Sequence, residues 1–286
     1  MSRYLELLSR STSRAGSHLC VGIDPVPAAL PQPFGDSLEG VARWVSTLIE
    51  ATSPYAAAFK VNIAYFEALG ADGLRIAESV RRQIPSEIPL IIDAKRGDIG
   101  ATVRAQGVAL FDLLGADAIT ANPYLGIGAL APLLDRNDRF TYLLCRTSNP
   151  EAAELQDLRV VEGVQGPEES LAARVARLAA RRDEGVTGRI GLVVGATNAA
   201  ALQQLRSVAP GLPFLVPGVG AQGGDAEAVI ADGGATAAPG SAAIGRGLLV
   251  NVGRGISDVD ATGDQVAGAL KAAAAEWGRR LAILTI

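Results

Sequence analysis

The chain has 286 residues, 49% of them hydrophobic and 20% charged, with a formal net charge of −4. That balance excludes a general nucleic-acid or membrane-surface binder, which would carry excess basic charge, and the length suits either two small domains or one large α/β barrel. The sequence contains no long apolar run, and the opening "MSRYLELLSRSTSR" lacks the apolar stretch of a secretory signal, so a soluble cytoplasmic protein is expected, without a membrane span.

In chain order, "HLCVGI" (18–23) reads as a strand and 38–52 as a helix; "AAAFKV" (56–61) precedes a helical stretch at 65–83. "PLIID" (89–93) leads to 101–114, "DAIT" (117–120) to 126–135, and "TYLLC" (141–145) to a long segment at 146–166 and then a helix at 168–182. "IGLVVG" (190–195) is followed by 198–207 and "PFLVP" (213–217) by 224–232; a small-residue segment at 233–247 then precedes "LLVNVG" (248–253) and a last helix at 262–281. The apolar runs are short and rich in branched residues, as buried parallel strands are, and the stretches between them are amphipathic. Eight such β-then-α units without a linker-like break in composition predict a single (β/α)8 TIM barrel over 1–286, with long insertions after strand five and before strand eight. A doubly wound open sheet is the alternative, and the repeat number and length favour closure. Loops after strands build the functional face of such a barrel, so 146–166 is a candidate lid and 233–247 an ornament at the far end.

Each strand's C-terminal end then becomes a place to look for chemistry. Of 26 basic residues only Lys60, Lys95 and Lys271 are lysine, and the first two end strand-like runs; lysine can release a proton at accessible pH where arginine cannot. Asp93 and Lys95, two apart, face one side if the chain stays extended, and with Lys60 and Asp24 they would form an alternating array in which each charge holds its neighbours ionised. Asp24 taken alone also reads as a helix cap. Asp98 and Thr102 share a helix face; they could cap, line the pocket, or reach a neighbouring subunit's site. "PGVGAQGG" (217–224), with Gly218, Gly220 and Gly223, follows strand seven, and "VGRGI", with Gly253 and Arg254, closes strand eight. These are the positions at which barrels of this class hold phosphate. Arg246, in the other "GRG", precedes its strand and falls on the wrong face. The lone histidine, His18, begins the first strand at the opposite end, and Cys20 and Cys145 lie in apolar runs as buried thiols. No cluster suggests a metal, and the lysines beside the acidic pair would repel a divalent cation.

Taken together and in order, "FKVN", "DAKRGDIGAT", "RTSNP", "PGVGAQGG" and "VGRGI" resemble the orotidine 5′-phosphate decarboxylase family, in its larger bacterial branch (type 2). The resemblance implies that Lys60, Asp93, Lys95 and Asp98 are the family's Lys–Asp–Lys–Asp tetrad, with Lys95 the proton donor to C6 and Asp93 destabilising the substrate carboxylate. It implies substrate contacts from Asp24 (ribose), Ser148 and Gln222 (pyrimidine or phosphate), Arg254 (phosphate) and Pro217. It also implies cofactor-free formation of UMP from orotidine 5′-phosphate by a homodimer in which Asp98 and Thr102 serve the partner's site. Related sugar-phosphate barrels that use Mg²⁺ share the D-x-K-x-x-D core but carry an acid where this chain has Lys60. They stand as the alternative, beside a non-catalytic nucleotide-binding barrel.

Overall fold

A computed structural model describes residues 2–161, 166, 168–186, 188–220 and 222–283. Its strands, in chain order, are β1 (Leu19–Ile23), β2 (Ala58–Asn62), β3 (Leu90–Arg96), β4 (Ala118–Ala121) and β5 (Phe140–Arg146). A small hairpin of β6 (Arg159–Val161) and β7 (Glu168–Ser170) follows, and then β8 (Ile190–Val194), β9 (Phe214–Val216) and β10 (Leu248–Val252). Without the hairpin these close into a barrel in the order β1-β10-β9-β8-β5-β4-β3-β2, every pairing parallel. The eight expected apolar runs are the eight barrel strands, each shifted by no more than a few residues.

The two-residue period of a strand divides each run between two cores. Val21, Phe59 and Ile92 point outward and join the helices' apolar faces, whereas Cys20, Ala58, Ile91, Tyr142, Val193, Leu215 and Leu249 point in and fill the barrel. The helix Leu38–Thr52 shows how the outer layer forms. Ser37 caps it by accepting from the Gly40 N–H at 3.0 Å, and Val41, Trp44, Val45, Leu48 and Ile49 recur at helical spacing and are all buried. Each large side chain so buried contributes about 1.5–3 kcal/mol.

Four local departures from expectation have physical causes. The helix Arg3–Ala15, absent from the sequence reading, plugs the N-terminal end of the barrel: the Tyr4 ring stacks on Phe140 with centroids 4.5 Å apart, and its hydroxyl lies 3.1 Å from that of Tyr142. The stretch 65–83 divides at Gly70, which has a φ of +70°, into Ile63–Glu67 and Gly70–Gln83. The stretch 101–114 is helical as Gly100–Gly107 and then widens to a π turn over Val108–Leu113. The helix expected from 168 starts at Leu171, because residues 168–170 pair antiparallel with β6. Buried Glu169 ties that hairpin to Arg174 and Arg177. Within the candidate lid, residues 162–165 lie outside the described residues. The 233–247 segment does sit at the far end, where the Ile244 N–H donates to Ser9 Oγ at 2.9 Å. Cys20 and Cys145 are buried free thiols, and among the described residues no helix is long and apolar enough to cross a membrane.

His18 is packed into that same end, with Nδ1 3.3 Å from the Leu248 carbonyl oxygen. Burial first, and nearby Arg246 second, push its pKa down to about 4, against the opposing hydrogen bond to Leu248. A depressed folded-state value favours the neutral ring, so its contribution to stability is complete above about pH 6.5 and is lost as pH falls toward the folded value. The expected loss by pH 5 is about 2 kcal/mol. Urea unfolding at pH 7.5 and 5 should show it, and His18→Gln should flatten the difference; an unchanged pH dependence in the variant would refute this.

Candidate active site

At the C-terminal end of the barrel, β2 turns Phe59 outward and Lys60 inward, burying the ammonium. Neighbouring β3 supplies Asp93, whose Oδ2 lies 3.1 Å from Lys60 Nζ and whose Oδ1 lies 2.7 Å from Lys95 Nζ. Burial alone would lower the pKa of Lys60, but Asp93 and then Asp24 outweigh it and the net shift is upward. Burial would likewise raise the pKa of Asp93, but Lys60 and Lys95 outweigh it and hold the carboxyl well below its usual range. Lys60 and Asp93 thus each favour the other's charged form, with Asp24 acting on Lys60 and Lys95 on Asp93 in the same sense.

The pairing of Asp93 with Lys95 does not come from an extended chain, as the spacing suggested. The β3–β4 register slips between Ile92 and Arg96, and Lys95 takes a φ of +49°, a left-handed conformation rare for a residue with a Cβ. Thr120 of β4 meets this bulge: its Oγ1 accepts from the Lys95 N–H at 2.9 Å and donates to Asp93 Oδ1 at 2.8 Å. Beyond the bulge, a Cβ on Gly97 would lie 2.5 Å from the Asn122 carbonyl oxygen, so the chain can cross there only with glycine.

Lys60, Asp93, Lys95, Thr120, Ser148 and Pro217 border a cavity of about 360 Å³, whose apolar wall includes Leu144, Val193 and Leu215. Ser148 lies in a loop clasped by Arg146, whose Nε and Nη2 reach the two carboxylate oxygens of Asp157 at 2.7 and 3.1 Å. Gln156 accepts from the Thr147 N–H at 2.8 Å. Gly218, with a φ of +98°, fits between Ser148 and Gln222: a Cβ there would lie 2.8 Å from Ser148 Cβ and 2.9 Å from Gln222 Oε1. The glycine-rich turn folds back on itself through Gly223 N–H to Gly220 O and Gly224 N–H to Gly218 O. Beside this turn, at the end of the adjacent strand β10, Gly253 precedes a short helix, Arg254–Ser257, which places exposed Arg254 there. Asp24 stands just past β1, and a Cβ on Gly253 would lie 3.1 Å from its Oδ2.

The structure thus brings Lys60, Asp93 and Lys95 together, with Asp24, Ser148, Pro217, Gly218 and Gln222 around them. It does not bring in Asp98 or Thr102. Asp98 Oδ1 accepts from the adjacent Ile99 N–H at 2.7 Å, outside the Lys60–Asp93–Lys95 pairing, and Thr102 is exposed on the next helix. Nearby apolar side chains are left in solvent: Ile99 is 62% exposed, Tyr124 74% and Leu125 57%. Sequence reasoning missed Thr120, Thr147, Asn149 and Gln156, which border the cavity, and Asn251, whose buried Oδ1, like Asp24 Oδ1, has no hydrogen-bond partner among the described residues. Thr120 ends the run "DAIT", and inward alternation from Ala118 was the signal that could have found it. Among the described residues no three His, Cys, Asp or Glu side chains gather as a metal site requires.

Comparison with known proteins adds an independent line. Residues 17–282 match the sequence model of the Orotidine 5′-phosphate decarboxylase / HUMPS family. The orotidine 5′-phosphate decarboxylase of Roseiflexus castenholzii is 42% identical over 270 residues, covering 94% of each chain. That of Variovorax paradoxus is 39% identical over 272 residues, covering 94% of this chain and 95% of the relative. Among solved structures, the OMP decarboxylase of Leishmania donovani superposes with a TM-score of 0.81 at 37% identity, covering 98% of both chains. A putative orotidine-monophosphate decarboxylase from Toxoplasma gondii gives 0.84 at 32% identity, covering 96% of this chain and 94% of that one.

Proposed function

The chain belongs to the orotidine 5′-phosphate decarboxylase / HUMPS family, and from that premise we propose that it converts orotidine 5′-phosphate to UMP, a cytoplasmic step of pyrimidine biosynthesis. The observation that carries this reading is the Lys60–Asp93–Lys95 chain of charges at one wall of a cavity of about 360 Å³, a size suited to a nucleotide's base and sugar.

Loss of CO2 from C6 breaks the C6–carboxylate bond and leaves its electron pair on C6, an sp² carbanion with no ring carbonyl positioned to delocalise it. Asp93, held ionised by two lysines, would lie beside the substrate carboxylate, and the repulsion between them eases as CO2 departs. The Lys95 ammonium faces the developing charge, stabilises it, and then delivers its proton to C6; a proton from water restores it. Lys60 keeps Asp93 charged and the array in register. Asp24 takes the ribose, Ser148, Pro217 and Gln222 the base or phosphate, and Arg254 with the glycine turns at Gly218, Gly220, Gly223 and Gly253 the phosphate. Phosphate contacts so far from C6 supply binding energy that can be used in the transition state. Asp98 and Thr102 act across a homodimer interface, in the partner's site. Support for that comes from their separation from their own chain's array and from the exposed apolar residues beside them.

The deciding experiment is an absorbance assay of orotidine 5′-phosphate turnover in EDTA. Full activity is expected. Activity restored only by Mg²⁺, or tight UMP-analogue binding without release of CO2, would instead favour the sugar-phosphate or the non-catalytic reading.

A further inference from the structure

We propose that Thr120 is the positioning residue that sets the proton-donating lysine, an inference that rests on the decarboxylase reading for its kinetic consequence but not for its geometry. The Thr120 side chain is 1% exposed and its single oxygen is used twice. It accepts from the Lys95 backbone N–H at 2.9 Å and donates its own proton to Asp93 Oδ1 at 2.8 Å. That same Oδ1 takes the Lys95 ammonium at 2.7 Å. The four groups form a closed ring: Lys95 N–H, Thr120 hydroxyl, Asp93 carboxylate, Lys95 ammonium.

The ring matters because β3 cannot hold Lys95 by itself. The ladder to β4 is in register at Ile92↔Ile119 and resumes only at Arg96↔Ala121. Between those points the backbone of Lys95 is left-handed, with a φ of +49°, a conformation that persists for a side-chain-bearing residue only where its surroundings impose it. Thr120 supplies the constraint from both ends of the lysine. Its lone pair fixes the N–H where the ladder has lapsed, and its proton fixes the carboxylate oxygen against which the ammonium rests. A β-branched residue on a strand also has few χ1 alternatives, so the hydroxyl is held where the bulge needs it.

Thr120→Val preserves shape and removes both bonds, whereas Thr120→Ser keeps the oxygen. A misplacement of about 1 Å in a reacting group can cost about 10²-fold in rate. Thr120→Val should therefore lower kcat on orotidine 5′-phosphate about 100-fold with KM little changed, and Thr120→Ser should stay within about threefold of wild type. If the valine protein does not fold, Thr120→Ala read against Thr120→Ser makes the same comparison. Amide hydrogen exchange at Lys95 provides a readout that no assay of turnover enters: the N–H should be protected in wild type and Thr120→Ser and fast in Thr120→Val or Thr120→Ala. Wild-type protein that is inactive on this substrate, yet shows the exchange pattern, overturns the decarboxylase reading alone. A folded valine or alanine variant with near wild-type kcat, a serine variant as slow as valine, or a Lys95 amide equally protected in all variants overturns the role of Thr120.

Discussion

Lys95→Ala should lower kcat on orotidine 5′-phosphate by at least about 10⁴-fold while leaving the fold intact. Two contributions vanish with the ammonium: the charge that faces the C6 carbanion, of a kind worth about 10²–10³-fold, and the proton that quenches it, worth about 10²–10⁴-fold. The fold should survive because the Lys95 side chain is 48% exposed and Asp93 keeps Lys60 and Thr120 as partners. Alanine also meets the left-handed φ of +49° with much the same strain as lysine. Urea midpoints close to wild type together with residual activity above about one part in a hundred would exclude the donor role, since neither contribution would then be supplied there. The same variant tests the shared site. Mixed with an Asp98→Ala protein, it should form hybrid dimers in which, if Asp98 serves the partner's site, one site has lost both groups and the other has lost neither. Random exchange should restore about a quarter of wild-type activity from two inactive proteins, as two-fold symmetry requires. No recovery would place Asp98 in its own subunit's site.

Asp93→Asn should both inactivate the protein and destabilise it by about 3–5 kcal/mol, the range for breaking one side of a buried ion pair. The cause is Lys60, whose side chain is 6% exposed and which pairs with Asp93 at 3.1 Å. In the native protein the Lys60 pKa lies above its unfolded value, so its contribution persists below about pH 10.5 and is lost only as pH rises through the folded value; Asp93 lies below its unfolded value, so its contribution persists above about pH 4 and is lost only as pH falls. The pair is therefore insensitive to pH near neutrality. With asparagine at 93 the carboxylate that most raises the Lys60 pKa is gone while burial, which lowers it, remains, so the neutral form is more readily reached and the stability deficit should narrow as pH rises from 7 toward 10. Urea unfolding across that range measures it, and a deficit that widened would refute the assignment of the loss to an unpaired ammonium. A Lys60→Met/Asp93→Leu double variant should recover most of the stability, because apolar residues of similar volume replace a buried pair at little cost, while remaining inactive.

Both results depend on features that differ in how far the sequence displays them. Strand positions were legible because a parallel strand buried on both faces must be short, branched and continuous in its hydrophobicity, and each of the eight runs has that form. The ends of those strands were legible for the same reason: once eight units close, Lys60, Asp93, Ser148 and Pro217 have nowhere to converge but one mouth. The helix Arg3–Ala15 was not legible. Its buried Tyr4, Leu5 and Leu8 face acquires meaning only from the open barrel end it covers, and a brief apolar stripe carries little signal without that partner. The β6–β7 hairpin was missed because three residues a side are too few for an alternating pattern to stand out.

The sequence by itself determined the barrel, the family and the chemical types at the mouth, because periodicity and residue identity are local properties of the chain. Tertiary structure alone decided that Lys95 meets Asp93 through a bulge and not along an extended strand, and that Thr120, an ordinary strand-ending residue in the sequence, closes the ring between them. It also decided that Asp98 stands apart from the three charges with which it shares a motif. Each of these depends on where a neighbouring strand lies in space, and a slip of register between β3 and β4 leaves no trace in either strand's own pattern.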